Sequence, residues 1–222
     1  MATSTRTVLL GLVTAGALLS VLPWLVTDPQ TRAQLYAEEA GLFEQASIAL
    51  WVLLAAGLFF ILRPATRNVA AAAVTCLFAA AREASWHKRF TDGESVLKLS
   101  YYLDGHAPLA EQLLIAAITV VGIFCLGMTM LTVLRHTRAH RWLRAGWVQL
   151  FLVFFVVGVV SKVFDRTPAI LDDSFGVTLP SLLLEMMQSC EEGLEMLLPV
   201  MLAITAIAFA RHRTMRRRLA EP

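Results

Sequence analysis

The chain has 222 residues, of which 57% are hydrophobic and only 16% are charged, and its mean hydropathy is +0.64. Soluble domains carry charged residues at about a quarter of their positions, so this composition excludes an ordinary soluble enzyme or binding domain. The formal net charge of +2 gives no indication of nucleic-acid binding. We therefore predict an integral membrane protein with no nucleic-acid partner.

Six apolar windows follow one another along the chain, each near the roughly 20 residues that a helix needs to cross a bilayer. They cover residues 8–26, 42–62, 68–86, 109–134, 143–164 and 179–210. The first could be a signal peptide, but its apolar run continues past the cleavage-like triplet at 15–17, which favours an uncleaved helix. The alternating segments of about 10 residues that are typical of a membrane barrel are absent from the sequence. We predict an all-α polytopic membrane protein, a six-transmembrane-helix bundle that forms a single domain over residues 1–222.

Basic residues mark one end of alternate windows. Arginines lie at positions 6, 63 and 67, and they cluster in residues 135–144 and 211–218. By the positive-inside rule this end is cytoplasmic, which places both termini inside (N-in and C-in). Of the seventeen Asp and Glu residues, only Glu221 falls on this side. We therefore predict a multi-pass protein of the cell (inner) membrane whose acidic groups lie toward the outer side.

The C-terminal tail, ARHRTMRRRLAEP, has two interpretations. Its arginines can simply fix the topology, as in many membrane proteins. They can also bind anionic lipid headgroups, at about 1 kcal/mol per basic residue near the surface. The sequence favours the topological role and keeps headgroup binding as the alternative.

Distances counted along the helices from the arginines place ionisable groups deep in the membrane. At 1.5 Å per residue, Glu195 lies about 24 Å from Arg211, or roughly 6 Å inside the outer edge of a 30 Å hydrocarbon core. The same count brings four other helices to about this level through Glu44, Arg82, Glu83, Glu111 and Lys162. Five helices are therefore predicted to present ionisable groups at one depth.

Polar residues of the sixth window share one helix face. The stripe is formed by Ser181, Glu185, Gln188, Glu192 and Glu195, with Glu191 beside it. The third and fifth windows end in bases, within AAAREASWHKRF and VVSKVFDR. Acids and bases at one level predict a mutually neutralising pocket, in which Arg82 and Glu83 are both buried. The pocket candidates are Glu44, Arg82, Glu83, His87, Arg89, Lys162, Asp165, Arg166, Glu185, Gln188, Glu192 and Glu195.

Helix dipoles explain part of this pattern, because they favour acids at helix N-termini and bases at C-termini. If Thr178 is the N-cap of the sixth helix, Glu192 and Glu195 lie three to four turns inside it, beyond the reach of the terminal charge. A charge at the bilayer centre costs from about 2.5 to more than 10 kcal/mol, so such residues usually serve a function. We predict a functional pocket that opens outward, with an ion-pair network that only locks the bundle as the alternative.

Three functions fit such a pocket. The first is binding or translocation of an ion, proton or small charged solute, because coupled carboxylates and bases can share protons. The alternative is a membrane-embedded hydrolase or transferase that acts on a lipid or lipid-linked substrate at the outer leaflet, with Glu83 or Glu192 as general base. The third is a structural or accessory membrane subunit. The sequence shows no catalytic motif for the alternative, and it identifies neither a cofactor nor an oligomeric state.

Two further hypotheses concern the outer side. Glu83, His87 and Glu192 form a weak candidate for a metal site, since His and Glu are common zinc ligands. The connection between the third and fourth windows, ESVLKLSYYLDGHAP, is too short and too polar to span a membrane. Its aromatic and aliphatic residues suit either a short interfacial segment or a lid over the pocket formed by residues 94–104.

Overall fold

A computed structural model of the chain describes residues 2–26, 28–36, 41–86, 108–138 and 145–220. Within these ranges the chain is helical and contains no strand. The helices are α1 (Ala2–Val26), α2 (Pro29–Leu35), α3 (Leu42–Ile61), α4 (Arg67–Glu83), α5 (Leu109–Arg138), α6 (Gly146–Phe175) and α7 (Ser181–Ala220). The all-helical class predicted from the sequence is therefore confirmed for the described residues.

Five of these helices are long and apolar enough to cross a membrane. The candidate spans are Thr7–Leu25, Leu42–Ile61, Leu109–Thr137, Gly146–Phe175 and Ser181–Met215. They correspond to the first, second, fourth, fifth and sixth windows of the sequence. The architecture is therefore compatible with a multi-pass helical membrane protein.

The third window forms α4, which is shorter than predicted. This helix has 17 residues, or about 26 Å at 1.5 Å per residue, against a hydrocarbon core of about 30 Å. It ends at Glu83, and two residues later Ser85 adopts a positive φ of 48°. A sixth span therefore stays a prediction.

The end of α6 lies well beyond the predicted boundary at residue 164. The helix continues through the charged segment to Phe175 and is closed by Gly176, whose φ of 61° is the left-handed conformation typical of a helix C-cap. The Thr178 hydroxyl donates to Oδ1 of Asp172 at 3.3 Å, and α7 begins only at Ser181. The expectation that Thr178 caps the sixth helix is therefore wrong, because its side chain is engaged with the end of α6.

The chain divides into two compact units. Unit 1 comprises Met1–Leu50 and Arg141–Pro222, unit 2 comprises Trp51–His140, and the boundary falls inside α3. In unit 1, α1, α6 and α7 pack together around a buried core of Leu12, Leu150, Leu197 and Met201. In unit 2, α4 packs on α5. The single membrane domain expected from the sequence stays a prediction.

The helices α6 and α7 pack in antiparallel register. The rings of Trp147 and Phe209 lie 5.1 Å apart edge to face, near the start of α6 and the basic end of α7. Eleven residues further along α6, Gly158 lies against Leu198, because a Cβ there would be 3.8 Å from a Leu198 methyl carbon. The same register continued by one turn places Lys162 opposite Glu195.

The helices α1 and α7 are also antiparallel and approach closely at small residues. A Cβ on Gly16 would be 3.2 Å from Leu197, and a Cβ on Gly193 would be 2.7 Å from the Ser20 hydroxyl. Such small-residue contacts are a common basis of helix association in membranes, where burial of apolar surface provides no driving force. The close approach holds α7 between α1 and α6.

Candidate functional site

Lys162 points its ammonium at three carboxylates. Its Nζ lies 3.0 Å from Oδ2 of Asp165, 3.2 Å from Oε1 of Glu191 and 2.6 Å from Oε1 of Glu195. Asp165 is one turn further along α6, and the two glutamates are one turn apart on α7. The antiparallel register thus brings acids of α7 onto a base of α6. Together with Ser161, these four residues form what we call the Lys162 cluster.

Glu195 is the most buried carboxylate of the cluster. Its side chain is 6% exposed, and it accepts a 3.1 Å hydrogen bond from Ser161 Oγ, whose residue is fully buried. Hydrogen bonds to a charged acceptor are about twice as strong as neutral ones, and a buried charge without them is costly. The lysine and the serine together therefore stabilise a carboxylate inside the helix interface.

The solvent exposure of the side chains falls across the cluster from Lys162 and Asp165 to Glu195. The Lys162 and Asp165 side chains are 35% and 30% exposed, Glu191 is 19% exposed and Glu195 is closed off. A small ion can therefore approach from the Asp165 side, whereas access at the Glu195 end requires movement of the helices.

Among the ion pairs of the Lys162 cluster in the described part of the chain, acidic groups outnumber basic groups. Three carboxylates against one ammonium leave a formal charge of −2 when all are ionised. Arg166, whose Nε lies 3.7 Å from Oδ2 of Asp165 and whose side chain is 74% exposed, reduces this to −1. Charges attract and repel more strongly in a low-dielectric interface than in water. The cluster therefore has the capacity to take up one proton or one monovalent cation on reaching neutrality.

A second set of polar contacts joins α1 and the end of α2 to the first turns of α7. Trp24 Nε1 donates to Ser189 Oγ at 3.0 Å, and Gln188 Nε2 donates to the carbonyl oxygen of Tyr36 at 2.8 Å. The Arg32 guanidinium stacks over the Trp24 ring at 4.4 Å. The adjoining cavity of about 30 Å³ has room for little more than a water molecule. These contacts therefore attach α1 and α2 to α7. The cavity beside them has no space for a larger solute.

Two residues outside the candidate spans hold α2 in place. Asp28 caps the helix by accepting bonds from Gln30 and Thr31, and the bonds from Thr31 lower the pKa of this carboxyl. Burial raises the pKa of Tyr36 to about 12. The Tyr36 hydroxyl is therefore protonated at neutral pH and donates to the carbonyl oxygen of Leu19 at 2.9 Å.

The predicted stripe of α7 divides between these two regions. Glu195 belongs to the Lys162 cluster, while Gln188 is engaged by Tyr36. Glu185 is exposed beside the small cavity near α2, and Glu192 is half-buried between the two regions. A single helix face therefore serves two sets of neighbours.

The other candidates predicted from the sequence come from α3, from α4 and from the segment that follows α4. Arg82 and Glu83 belong to unit 2 and face each other at 3.9 Å, with side chains 55% and 9% exposed. The expectation that both are buried is therefore wrong for Arg82, because the depth count fixes a level along the helix and not the side on which a residue lies. Glu44 is buried in the first turn of α3. His87, Arg89 and the lid or interfacial segment 94–104 fall outside the described residues.

Two members of the cluster were not among the candidates predicted from the sequence. Ser161 precedes Lys162 directly, and its hydroxyl reaches Glu195 across the interface. Glu191 was placed beside the predicted stripe, yet it lies four residues before Glu195 and therefore on the same side of α7. Helical spacing from the deepest acid, rather than from the start of the helix, would have identified it.

The Lys162 ammonium occupies the position between the carboxylates that a bound metal ion would otherwise occupy. Over the ranges that the structure describes, no group of three or more His, Cys, Asp or Glu side chains is arranged to hold a metal ion. The metal hypothesis for Glu83, His87 and Glu192 is untested, since His87 is outside those ranges. Comparison with known protein families, characterised proteins and solved structures finds no match to this chain.

Proposed function

We propose that this is an inner-membrane protein whose outward-facing charged pocket binds or translocates a proton or a small cation. The observation that carries the proposal is the Lys162 cluster, in which one ammonium faces carboxylates of Asp165, Glu191 and Glu195. Charged groups inside a membrane are costly and normally serve a function. Because carboxylates outnumber bases in the Lys162 cluster, we propose a positively charged solute in place of any small charged species.

In this proposal Lys162 acts as a tethered cation. The incoming proton or cation shares the carboxylates with the ammonium, and the surplus negative charge disappears when it binds. The uptake begins at Asp165, which is partly exposed, and ends at Glu195, which is buried. Translocation would require the interface between α6 and α7 to open on its other side.

The proposal includes a topology of six spans with both termini in the cytoplasm. The distribution of arginines supports it, and α4 serves as the short third span, which a locally thinner bilayer can accommodate. From Gly146 to Lys162, α6 rises about 24 Å at 1.5 Å per residue, which supports a proposed position of the cluster near the outer, periplasmic side in this topology.

Labelling from the two sides of the membrane tests this topology. We expect a reporter fused after Pro222 to be active only in the cytoplasm. A cysteine in place of Asp173, which is exposed, should react with a membrane-impermeant maleimide added to intact cells. Reaction only after the cells are lysed would contradict the orientation.

Carboxylate-to-amide substitution tests the proposed function. In proteoliposomes we expect the wild type to dissipate an imposed gradient of protons, Na⁺ or K⁺ faster than protein-free vesicles do. Glu195→Gln should reduce that rate at least tenfold, because it removes the surplus negative charge. Stability should change little, because Asp165 and Glu191 still face Lys162 and the amide oxygen can still accept from Ser161.

The matched control is Glu185→Gln, an exposed glutamate of the same helix, which should conduct like the wild type. If the protein is only a scaffold, Glu195→Gln should instead lower the melting temperature and leave the ion flux unchanged. The proposal fails if the wild type neither conducts any of the three ions nor binds them in calorimetry, or if Glu195→Gln conducts normally.

A further inference from the structure

The geometry points to Glu191 as the residue that holds the solute, and to a proton as that solute. This assignment rests on the function proposed above and narrows it. The three carboxylates of the Lys162 cluster all face one ammonium, with oxygens 2.6 to 3.2 Å from its Nζ. They share that donor, and they differ in what else stabilises their negative charge.

The ammonium disfavours a metal cation at the centre of the cluster. A Na⁺ or K⁺ ion that coordinates the carboxylates needs direct contact with their oxygens, but Nζ of Lys162 lies at the point where these oxygens converge. A metal ion beside it would meet a like charge in a low-dielectric interface, where repulsion is stronger than in water. A proton needs no such position, because it binds one oxygen of one carboxylate.

Glu191 has the weakest set of donors among the three carboxylates in the described part of the chain. Glu195 accepts from the ammonium at 2.6 Å and from Ser161 at 3.1 Å. Asp165 is 30% exposed to solvent and also lies 3.7 Å from the Arg166 guanidinium. Glu191 is 19% exposed, and its described partner is the ammonium at 3.2 Å, the longest of the three distances. The carboxylate with the fewest donors to its charged form is the one that takes up a proton most readily.

Protonation of Glu191 balances the charge of the cluster. The proton converts one carboxylate to a neutral carboxyl, while Lys162 keeps its own protons and its contacts with Asp165 and Glu195. Two carboxylates then face two bases, Lys162 and Arg166, and the formal charge rises from −1 to zero. No further ion is needed for neutrality.

The helices α1 and α2 add no described charge to this set. The charged groups that act on Glu191 are Lys162, Asp165 and Glu195. The one ionisable residue of α1 is Arg6, which lies about 15 Å along that helix from Gly16, where α1 packs on α7. On α2, the Arg32 guanidinium stacks over a tryptophan of α1. Uptake of a proton at Glu191 is therefore governed by α6 and α7.

Infrared difference spectroscopy of the purified protein in detergent tests this assignment, because a protonated carboxyl has a C=O band of its own. Between about pH 8 and about pH 5.5, exposed carboxyls with an ordinary pKa of about 4 stay ionised. We expect a carboxyl band to appear in this interval in the wild type, and its amplitude should fall at least tenfold in Glu191→Gln. Glu185→Gln, the exposed control on the same helix, should keep the band. Glutamate labelled with ¹³C in its side-chain carboxyl should shift the wild-type band, a measurement that depends on no variant.

Titration in different salts tests the choice of solute. Replacement of choline chloride by NaCl or KCl at equal ionic strength should change the proton concentration at the midpoint of the band by less than threefold. A larger change means that a metal ion competes with the proton, and it overturns the assignment. The same holds for a wild type without the band, for a band that labelled glutamate does not shift, and for a band that persists in Glu191→Gln. If the protein conducts Na⁺ or K⁺ and gives any of these results, the proposed function stands and only the assignment of a proton to Glu191 fails.

Discussion

Replacement of Lys162 by methionine should produce one of the two largest losses of stability in unit 1. The substitution keeps the apolar length of the side chain but removes the ammonium that faces three carboxylates, and Glu195 would lose its ion pair with Lys162 while keeping the hydrogen bond from Ser161. Removing one partner of a fully buried pair costs about 3 to 5 kcal/mol. Since the Lys162 side chain is 35% exposed, we expect about 2 to 3 kcal/mol, which corresponds to a fall of roughly 5 to 10 °C in the melting temperature in detergent.

A double-mutant cycle separates this charge effect from lost packing. The Lys162→Met/Glu195→Gln double variant should regain at least half of the loss, because the most buried carboxylate is no longer ionised. Arg166→Met is the matched control, because this exposed base on the same helix lies 3.7 Å from Asp165 and should change stability by no more than about 0.5 kcal/mol. Equal losses for the two single variants would mean that solvent screens the Lys162 cluster.

The meeting of Lys162 with Glu195 shows what the sequence can predict. Both residues were placed at one level by counting from the basic residues before α6 and late in α7, which were predicted to lie on the same side, and antiparallel neighbours at one level can touch. The count works because the helical rise is constant, so residues at equal distances from bases at one end of antiparallel helices lie at one level. The fold class is predictable for the same reason, since hydropathy over about 20 residues measures the length of the bilayer.

Arg82 and α2 show where this reasoning stops. A depth count carries no information about direction around the helix, so Arg82 was expected to be buried and is 55% exposed. The helix α2 has seven residues and is too short to register in a window of spanning length. It is attached by Tyr36 at its end, which accepts a hydrogen bond from Gln188 of α7 and donates one to the carbonyl of Leu19. The Arg32 guanidinium also stacks over the ring of Trp24 in α1. Such contacts follow from tertiary packing and leave no periodic signal.

The C-terminal end of α6 was predicted too early in the sequence, although the sequence contains a signal for its actual position. Hydropathy falls after residue 164, but the helix continues to Phe175 and is capped by Gly176. Glycine with a positive φ just past a helix is a common C-cap, so the glycine itself was the better signal. This extension matters for the site, because it holds Asp165 and Arg166 on a rigid helix beside Lys162.

The other large loss of stability should come from Gly193→Ala, although the change adds only one methyl group. The new Cβ would lie 2.7 Å from Ser20 Oγ, 3.1 Å from Ser20 N and 3.3 Å from Ser20 Cα. The hydroxyl can rotate away, but the backbone of α1 cannot, so α1 and α7 must separate. Overpacking of this kind costs about 1 to 3 kcal/mol, and we expect the upper part of that range.

Two further variants determine whether close contact between α1 and α7 causes the loss of stability in Gly193→Ala. Ser20→Gly in the Gly193→Ala background removes the contact with the hydroxyl but keeps the contacts with Ser20 N and Cα, so it should restore only part of the stability. Gly11→Ala, on the same α1, adds a Cβ that meets nothing within 4 Å. It should therefore leave the melting temperature unchanged or raise it, since alanine is the better helix former by up to about 1 kcal/mol. If Gly193→Ala melts like Gly11→Ala, the two helices are not held together at this glycine, and the antiparallel packing that brings α7 to Lys162 must depend on other contacts.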